Sequence, residues 1–240
     1  MLVGMILAAG FGTRLQPLTE NLPKALVEFC GKPMISHVIE KMKNFGIERI
    51  VVNVHHHREK LIDFLTKHNF GVDILISDEK DDHLLTGGGI KNAINLFGSA
   101  ENIIVHNTDI ISAIDYSTLL DFHRKKNSDF TLAIRKKNDD RVLLFDSQMN
   151  LTGWKNKISG EVKIRSNIEK SEEYGFTGVY VISKNAFDFF PSNKKFDIID
   201  FLLRTENSIS VKGFVDKGKY WFDLGSLQKI SEAEKYFGCK

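Results

Sequence analysis

Met5-Ile-Leu-Ala-Ala-Gly-Phe-Gly-Thr-Arg14, continued by Pro17, Pro23-Lys24 and Gly31-Lys32-Pro33, brings an apolar run, a glycine loop and two cations into one short span. Val3 to Ala9 is unbroken by any charged side chain and ends in glycine. A continuous apolar run of this length, rather than an alternating one, suits a strand buried on both faces of a parallel sheet. Ligands of open α/β sheets collect at the carboxyl ends of the strands, so chemistry is expected where this run meets Gly10 and Gly12.

Working outward, Ile35, Val38, Ile39 and Met42 recur at helical spacing, with Gly46 as a stop. Arg49 to Val54 reads as a second buried strand, His57 to Asn69 as a helix, and Val72 to Ile76 as a third strand. Gly89 to Phe97, Asn102 to His106 and Tyr116 to Lys126 continue the alternation as helix, strand and helix. Alternation of this kind predicts a parallel sheet with right-handed connections, five of them on this reading. From Phe130 the pattern changes. Strands are expected at Phe130–Ile134, Val142–Phe145 and Gln148–Leu151, joined by polar turns such as Lys137-Asn138-Asp139-Asp140. Glu172 to Ser183 reads as a long strand interrupted at Gly175 and Gly178, where a ligand or another backbone comes close. Short helices at Ala186–Phe190 and Ile198–Arg204, a strand at Tyr220-Trp-Phe and a last helix carrying Leu227, Ile230, Ala233 and Phe237 on one stripe complete the chain. The expected architecture is a single α/β domain: a doubly wound, mostly parallel Rossmann-like sheet with a mixed β subregion in its second half. That last helix runs almost to Lys240, so a minimal unit without an appended domain is expected.

Charge is balanced, 33 basic against 31 acidic residues for a net +2, which announces neither a nucleic-acid nor a membrane surface. Anion binding must therefore come from local placement. The apolar start lacks a basic flank and is too short for a signal peptide or a membrane span. Cys30 and Cys239 are too few for a disulfide framework and lack zinc-site spacing, so a reducing, cytoplasmic setting is the simpler expectation. Nothing in the sequence speaks to oligomeric state.

Gly10 and Gly12 let the backbone turn sharply and bring amide groups near phosphate oxygens, a geometry that serves a structural turn equally well. Leu15 stands where a dinucleotide fingerprint needs glycine, and no Gly-Lys-Ser/Thr follows for a Walker loop. Arg14 and Lys24 tilt the balance toward phosphate, one as a planar fork and the other as a compact charge. Asp109 and Asp223 each follow an expected strand, a place for a metal ligand or for a simple helix cap. Adjacent histidines such as His55-His56-His57 point in different directions and lack helical i, i+4 pairing, so packing or lining a crevice suits them better than metal binding.

Leu7-Ala-Ala-Gly-Phe-Gly-Thr-Arg-Leu-Gln-Pro-Leu-Thr19, then Pro23-Lys24 and Gly31-Lys32-Pro33, resembles the signature of the sugar-1-phosphate nucleotidyltransferases. The resemblance continues through Thr86-Gly87-Gly88-Gly89, Phe176-Thr177-Gly178 and Trp221-Phe222-Asp223. It implies a nucleoside triphosphate held by Ala8, Ala9, Gly10, Gly12 and Thr13, with Gly87 and Gly88 near the base. Arg14 would grip the departing pyrophosphate, Lys24 the reacting phosphate, and Asp109 with Asp223 a Mg2+ ion. Thr177 and Gly178 would meet the sugar 1-phosphate. It further implies a nucleotide-binding half at 1–127 and a sugar-phosphate-binding half at 128–240. Similarity is greatest to N-acetylmuramate-1-phosphate uridylyltransferases of cell-wall recycling, then to heptose- and mannose-1-phosphate guanylyltransferases. UTP with N-acetylmuramate 1-phosphate is thus the expected pair, with a GTP-dependent mannose- or heptose-1-phosphate guanylyltransferase as the alternative. Two departures from the family pattern, Thr108 before Asp109 and Leu85 before the glycine cluster, support a different alternative, a non-catalytic nucleotide-binding regulatory protein. An oxidoreductase is disfavoured by Leu15.

Overall fold

The computed structural model describes residues 1–137, 139–205 and 208–239. In chain order the first strand is β1 (Val3–Leu7), followed by a small hairpin of β2 (Glu28–Phe29) and β3 (Lys32–Pro33) and helix α1 (Met34–Asn44). β4 (Arg49–Val54), α2 (Arg58–Lys67), β5 (Asp73–Asp78), α3 (Leu85–Ala93) and β6 (Asn102–Asn107) continue the alternation. A short β7 (Ile110–Ser112) and α4 (Tyr116–Lys126) lead to β8 (Phe130–Arg135), β9 (Arg141–Phe145), β10 (Leu151–Asn156), β11 (Val162–Ile164) and the long β12 (Glu172–Ser183). α5 (Ile198–Arg204), β13 (Val211–Val215), β14 (Trp221–Asp223) and α6 (Leu227–Phe237) close the chain.

β6, β1, β4 and β5 are mutually parallel neighbours, with Met5 level with Val51 on one side and Val105 on the other. Strand alternation sends Met5, Val51 and Val105 to a core shared with Ile90 and Ala93 of α3. Ile6, Val52 and Ile104 go to the opposite core, against Ile35, Val38 and Ile39 of α1 and Leu61 of α2. Both faces are covered, which is why β1 reads as continuously apolar. Each such fully buried aliphatic side chain contributes about 1.5–3 kcal/mol.

Three connections link this parallel block, β1 to β4, β4 to β5 and β5 to β6, rather than the five expected. α4 forms over the expected residues but delivers the chain to β8 in the other half of the sheet. β12 divides the two halves: it is antiparallel to β6, β8 and β9. Its register against β8 shifts between Phe176 and Tyr180, where Gly178 has φ +78°. Such a bulge re-aims the side chains beside it. Within the expected turn at 137–140, Asn138 lies outside the described residues. Gln148 to Asn150 forms a turn instead of a strand, because Asp146 accepts the amides of Gln148 at 2.9 Å and Asn150 at 2.8 Å, so β10 starts only at Leu151. On α6, Ile230 and Ala233 are buried while Leu227 and Phe237 remain exposed, because only the first two reach the small core under β14.

Cys30 and Cys239 are joined as a disulfide, with Cα atoms 5.2 Å apart, although two cysteines were too few to suggest a disulfide framework. Their number gave no sign of it because the link depends on spatial proximity across 209 residues of sequence. No helix among the described residues is long and apolar enough to cross a membrane.

Buried histidines tie α4 to the sheet. His123 meets the Thr131 hydroxyl at 2.8 Å and Ser183 at 2.9 Å. Tyr116 meets His106 Nδ1 at 2.7 Å. Burial depresses His106 to about 3 and His123 to about 4, so both stay neutral in the fold at neutral pH.

Two consequences are testable. The disulfide closes a very long loop, and Cys239→Ser or a dithiol reductant is expected to lower stability by about 2–5 kcal/mol, a Tm drop of roughly 5–15 °C. An unchanged Tm would show the bond contributes nothing. As pH falls below the ordinary histidine value, the unfolded chain takes up protons that His106 and His123 refuse in the fold, so stability declines from about pH 6.5 toward 4. In urea titrations, a His106→Asn/His123→Asn double variant should be less stable at pH 7.5 yet show a shallower slope through that window.

Candidate functional site

β1 ends at Leu7, and the chain turns through Gly10 and Gly12, the latter left-handed at φ 67°. The turn is held from within the sheet. Asn53 Oδ1 on β4 accepts the Ala8 amide at 2.7 Å, and the Thr19 hydroxyl donates to the Gly12 carbonyl at 2.8 Å. Thr13 and Arg14 follow in a single 3-10 turn. Among the described residues Arg14 has no ion-pair or hydrogen-bond partner, and a Cβ on Gly225 would lie 2.7 Å from both Arg14 Nη2 and Asp223 Oδ1. The guanidinium thus sits over the turn that follows Asp223.

The two aspartates, distant in sequence, are neighbours. β7 and β14 form an antiparallel ribbon that sets Ile110 opposite Asp223, and the Leu224 amide donates to the Asp109 carbonyl at 2.8 Å. Each carboxylate faces a lysine: Asp109 pairs with Lys24, and Asp223 with Lys229 at 2.7 Å. Burial works against the charge on Asp223, but the Lys229 hydrogen bond and charge, the Gly225 amide and Lys24 outweigh it and hold the carboxyl below its usual range. Thr108 is buried beside them, its amide bonded to the Leu7 carbonyl at 3.1 Å and its hydroxyl without a partner.

These groups line two adjoining cavities. One, of about 810 Å³, is bounded by Arg14, Asp109, Asp223, Thr177, Gly178 and Lys229. The other, of about 250 Å³, is bounded by Ala8, Ala9, Gly10, Lys24, Leu85 and Thr86. Asp109 belongs to both walls. Two carboxylates, one from the turn between β6 and β7 and one from β14, suit a hard divalent cation, which commonly takes one or two carboxylates and completes its octahedron with substrate phosphates and water. Asp109 and Asp223 therefore fit Mg2+ as ligands. Thr177 gives its hydroxyl to the Ala133 carbonyl at 2.8 Å, while its own carbonyl accepts from Trp221 Nε1 at 2.9 Å, so its backbone, not its side chain, faces the ribbon.

Gly87 and Gly88 do not line either cavity. Their amides both donate to the Phe196 carbonyl, at 3.0 and 3.1 Å, and a Cβ would strike the Phe196 ring at Gly87 or the Lys194 carbonyl at Gly88. A Cβ on Gly89 would come within 2.7 Å of both Asn53 and Glu79. The triplet is glycine because Phe196, Lys194, Asn53 and Glu79 press on the helix start, and it is Leu85 and Thr86, just before it, that reach the cavity wall.

Several wall residues escaped the sequence reading. Lys137 lies 3.6 Å from the Trp221 ring centre and pairs with Asp139 at 2.8 Å, with its pKa lowered by burial. Arg141 stands on the same wall. Asn53 is the one that had a signal: an amide in an otherwise apolar strand must find hydrogen bonds when buried. Lys155 and Lys157 are instead both spent on Glu173, at 3.1 and 3.0 Å. His55 bonds the Glu79 carbonyl at 2.7 Å, and Phe11 packs against His55, His56 and His83 beside the glycine loop.

The chain is similar to several known proteins. A mannose-1-phosphate guanyltransferase from Yarrowia lipolytica is 32% identical over 232 residues, 92% of this chain and 60% of that protein. The chain thus spans about three-fifths of the length of that relative. The crystal structure of HddC from Yersinia pseudotuberculosis superposes with a TM-score of 0.79 at 27% identity, covering 99% of this chain and 100% of that one. The same protein complexed with GMP-PN gives a TM-score of 0.77 at 26% identity, with the same coverage. The nucleotidyl transferase family matches residues 3–238, from the first strand through the last helix, and the chain belongs to that family.

Proposed function

We propose that this chain catalyses magnesium-dependent guanylyl transfer from GTP to a mannose-type sugar 1-phosphate, mannose or heptose, releasing pyrophosphate and a nucleotide-sugar. The observation that carries the reaction type is the shared wall: Asp109 bounds both the glycine-loop cavity and the cavity holding Arg14 and Asp223. The triphosphate lies along Ala8 to Thr13 in the nucleotide-binding half, 1–127. The sugar 1-phosphate enters from the half at 128–240, against Thr177 and Gly178. The base and sugar follow the relatives, one named for mannose 1-phosphate and guanyl transfer and one crystallised with GMP-PN. Those names favour guanylyl transfer over the uridylyl transfer expected from the motifs.

In the reaction an oxygen of the sugar phosphate forms a bond to the α-phosphorus while the bond from that phosphorus to the β-bridging oxygen breaks. The pyrophosphate leaves with that electron pair. No protein nucleophile is required, so catalysis rests on alignment and on opposing the charge that gathers on the phosphates. Arg14, without an ion-pair partner among the described residues, offers its fork to the leaving pyrophosphate. Lys24 is held at the junction by Asp109 and places a compact positive charge beside the reacting phosphate. Lys229 keeps Asp223 ionised and oriented. Magnesium bound by Asp109 and Asp223 would supply further positive charge against the crowded phosphates.

Asp223→Asn keeps the acceptor that holds the Gly225 amide, so the fold should survive while pyrophosphate release falls by about 10²–10³. Near-normal turnover in that variant would sink the metal assignment. A panel of four nucleoside triphosphates crossed with mannose, heptose, glucosamine and N-acetylmuramate 1-phosphates decides the substrates. GTP with mannose or heptose 1-phosphate is the expected best pair, and UTP with N-acetylmuramate 1-phosphate would overturn it. Absence of turnover with every pair would favour a non-catalytic nucleotide-binding role.

A further inference from the structure

Leu85 opens α3 with φ +64°, in the left-handed region where a side chain other than glycine, asparagine or aspartate is strained. Both of its neighbours are anchored. Leu84 is fixed on both sides, its amide donating to Glu79 Oε2 at 2.9 Å and its carbonyl accepting from the Phe196 amide at 3.2 Å. Thr86 is fixed too, its hydroxyl donating to Asp197 at 2.8 Å and accepting from the Ile198 amide at 2.9 Å. The chain must cross between these two anchors in a conformation made for glycine.

Packing does not account for the leucine. Its side chain is 37% exposed and joins none of the three apolar cores. It instead forms part of the wall of the cavity of about 250 Å³, facing the glycine loop of Ala8 to Gly10. A strained residue that contributes nothing to the core and borders a ligand cavity points to a use in binding.

We infer that Leu85 is a specificity-determining residue, packing its side chain on the flat face of the nucleobase and favouring a purine over a pyrimidine. The inference rests on the guanylyl-transfer reading and sharpens its nucleotide side. Contact between an aliphatic side chain and a base is roughly proportional to the area covered, and a two-ring base offers more area than a one-ring base. Loss of the side chain therefore weakens GTP more than UTP.

Two substitutions separate the side chain from the backbone it strains. Leu85→Gly removes both the contact and the strain, whereas Leu85→Ala removes the contact and keeps a Cβ in the left-handed region. Thermal unfolding should show Leu85→Gly with a Tm higher than Leu85→Ala and at least equal to the parent. Calorimetric titration of the full chain with GTP and with UTP, in magnesium, should show both variants weakened toward GTP by about tenfold and toward UTP by about twofold. Unchanged GTP affinity in Leu85→Gly, or equal losses for the two nucleotides, would overturn the inference. Failure of the parent chain to bind either nucleotide would overturn the guanylyl-transfer reading itself and this inference with it, an outcome the parent titration reports before any variant is made.

Discussion

Asn53 is buried near the end of β4, next to Val51, Val52 and Val54, and it holds two things at once. Its carbonyl oxygen takes the Ala8 amide at 2.7 Å and its amide nitrogen reaches Glu79 at 2.6 Å. Glu79 in turn takes the Leu84 amide, and burial pushes its carboxyl above its ordinary value despite the hydrogen bonds from Leu84 and Asn53. A buried amide and carboxyl left unsatisfied would each cost about 1–3 kcal/mol, so the chain of bonds is under strong pressure to stay complete. It runs across the ends of β1, β4 and β5 and fixes the glycine loop relative to the entry of α3. Both walls of the smaller cavity are therefore set by one side chain, and Gly89 is glycine to leave it room.

The larger cavity is governed by charge rather than by hydrogen bonding inside the sheet. Asp109 and Asp223 are brought together by the β7–β14 ribbon, and two carboxylates so placed repel each other unless cations attend them. Lys24 and Lys229 do so, one from each end of the chain. Lys229 sits on α6, which the Cys30–Cys239 disulfide ties back to the β2–β3 hairpin just past the Lys24 turn. The cations that balance the two aspartates are thus tied to one another covalently as well as through the sheet.

Much of this was legible from the residues. The continuous apolar run of β1 reports burial on both faces, and β4, α4, α5 and β12 occupy their expected spans. Arg14 and Lys24 stood out as cations on a glycine turn, whereas Asp109 and Asp223 were singled out only through the family resemblance, because an aspartate after a strand serves equally well as a helix cap. What escaped was long-range: the β7–β14 ribbon and the disulfide join segments far apart in sequence, with too few residues in each to carry a periodicity of their own. Lys137 and Arg141 escaped because a lysine or arginine at a strand end has no signature until the fold shows which cleft it faces. The glycine triplet at Gly87 to Gly89 is ambiguous for a related reason. Three consecutive glycines signal a close approach, but the sequence does not say whether a ligand or, as here, the Phe196 backbone and ring make it.

The division of the sheet also gives the two cavities different kinds of precision. On the parallel side each connection is a helix packed on β1, β4 or β5, so the loop and the α3 entry have little freedom to shift. On the antiparallel side the wall comes from the bulge in β12 and from the turns beside β8 and β9, elements whose length and charge can change without disturbing the parallel core. On the proposed function, a change at the antiparallel wall would leave the parallel core undisturbed, whereas a change beside the glycine loop would have to work around Asn53, Glu79, Leu84 and Thr86. With those anchors fixed, the side chain between them, Leu85, borders the smaller cavity on a left-handed backbone, which is why the inference about base preference falls on it.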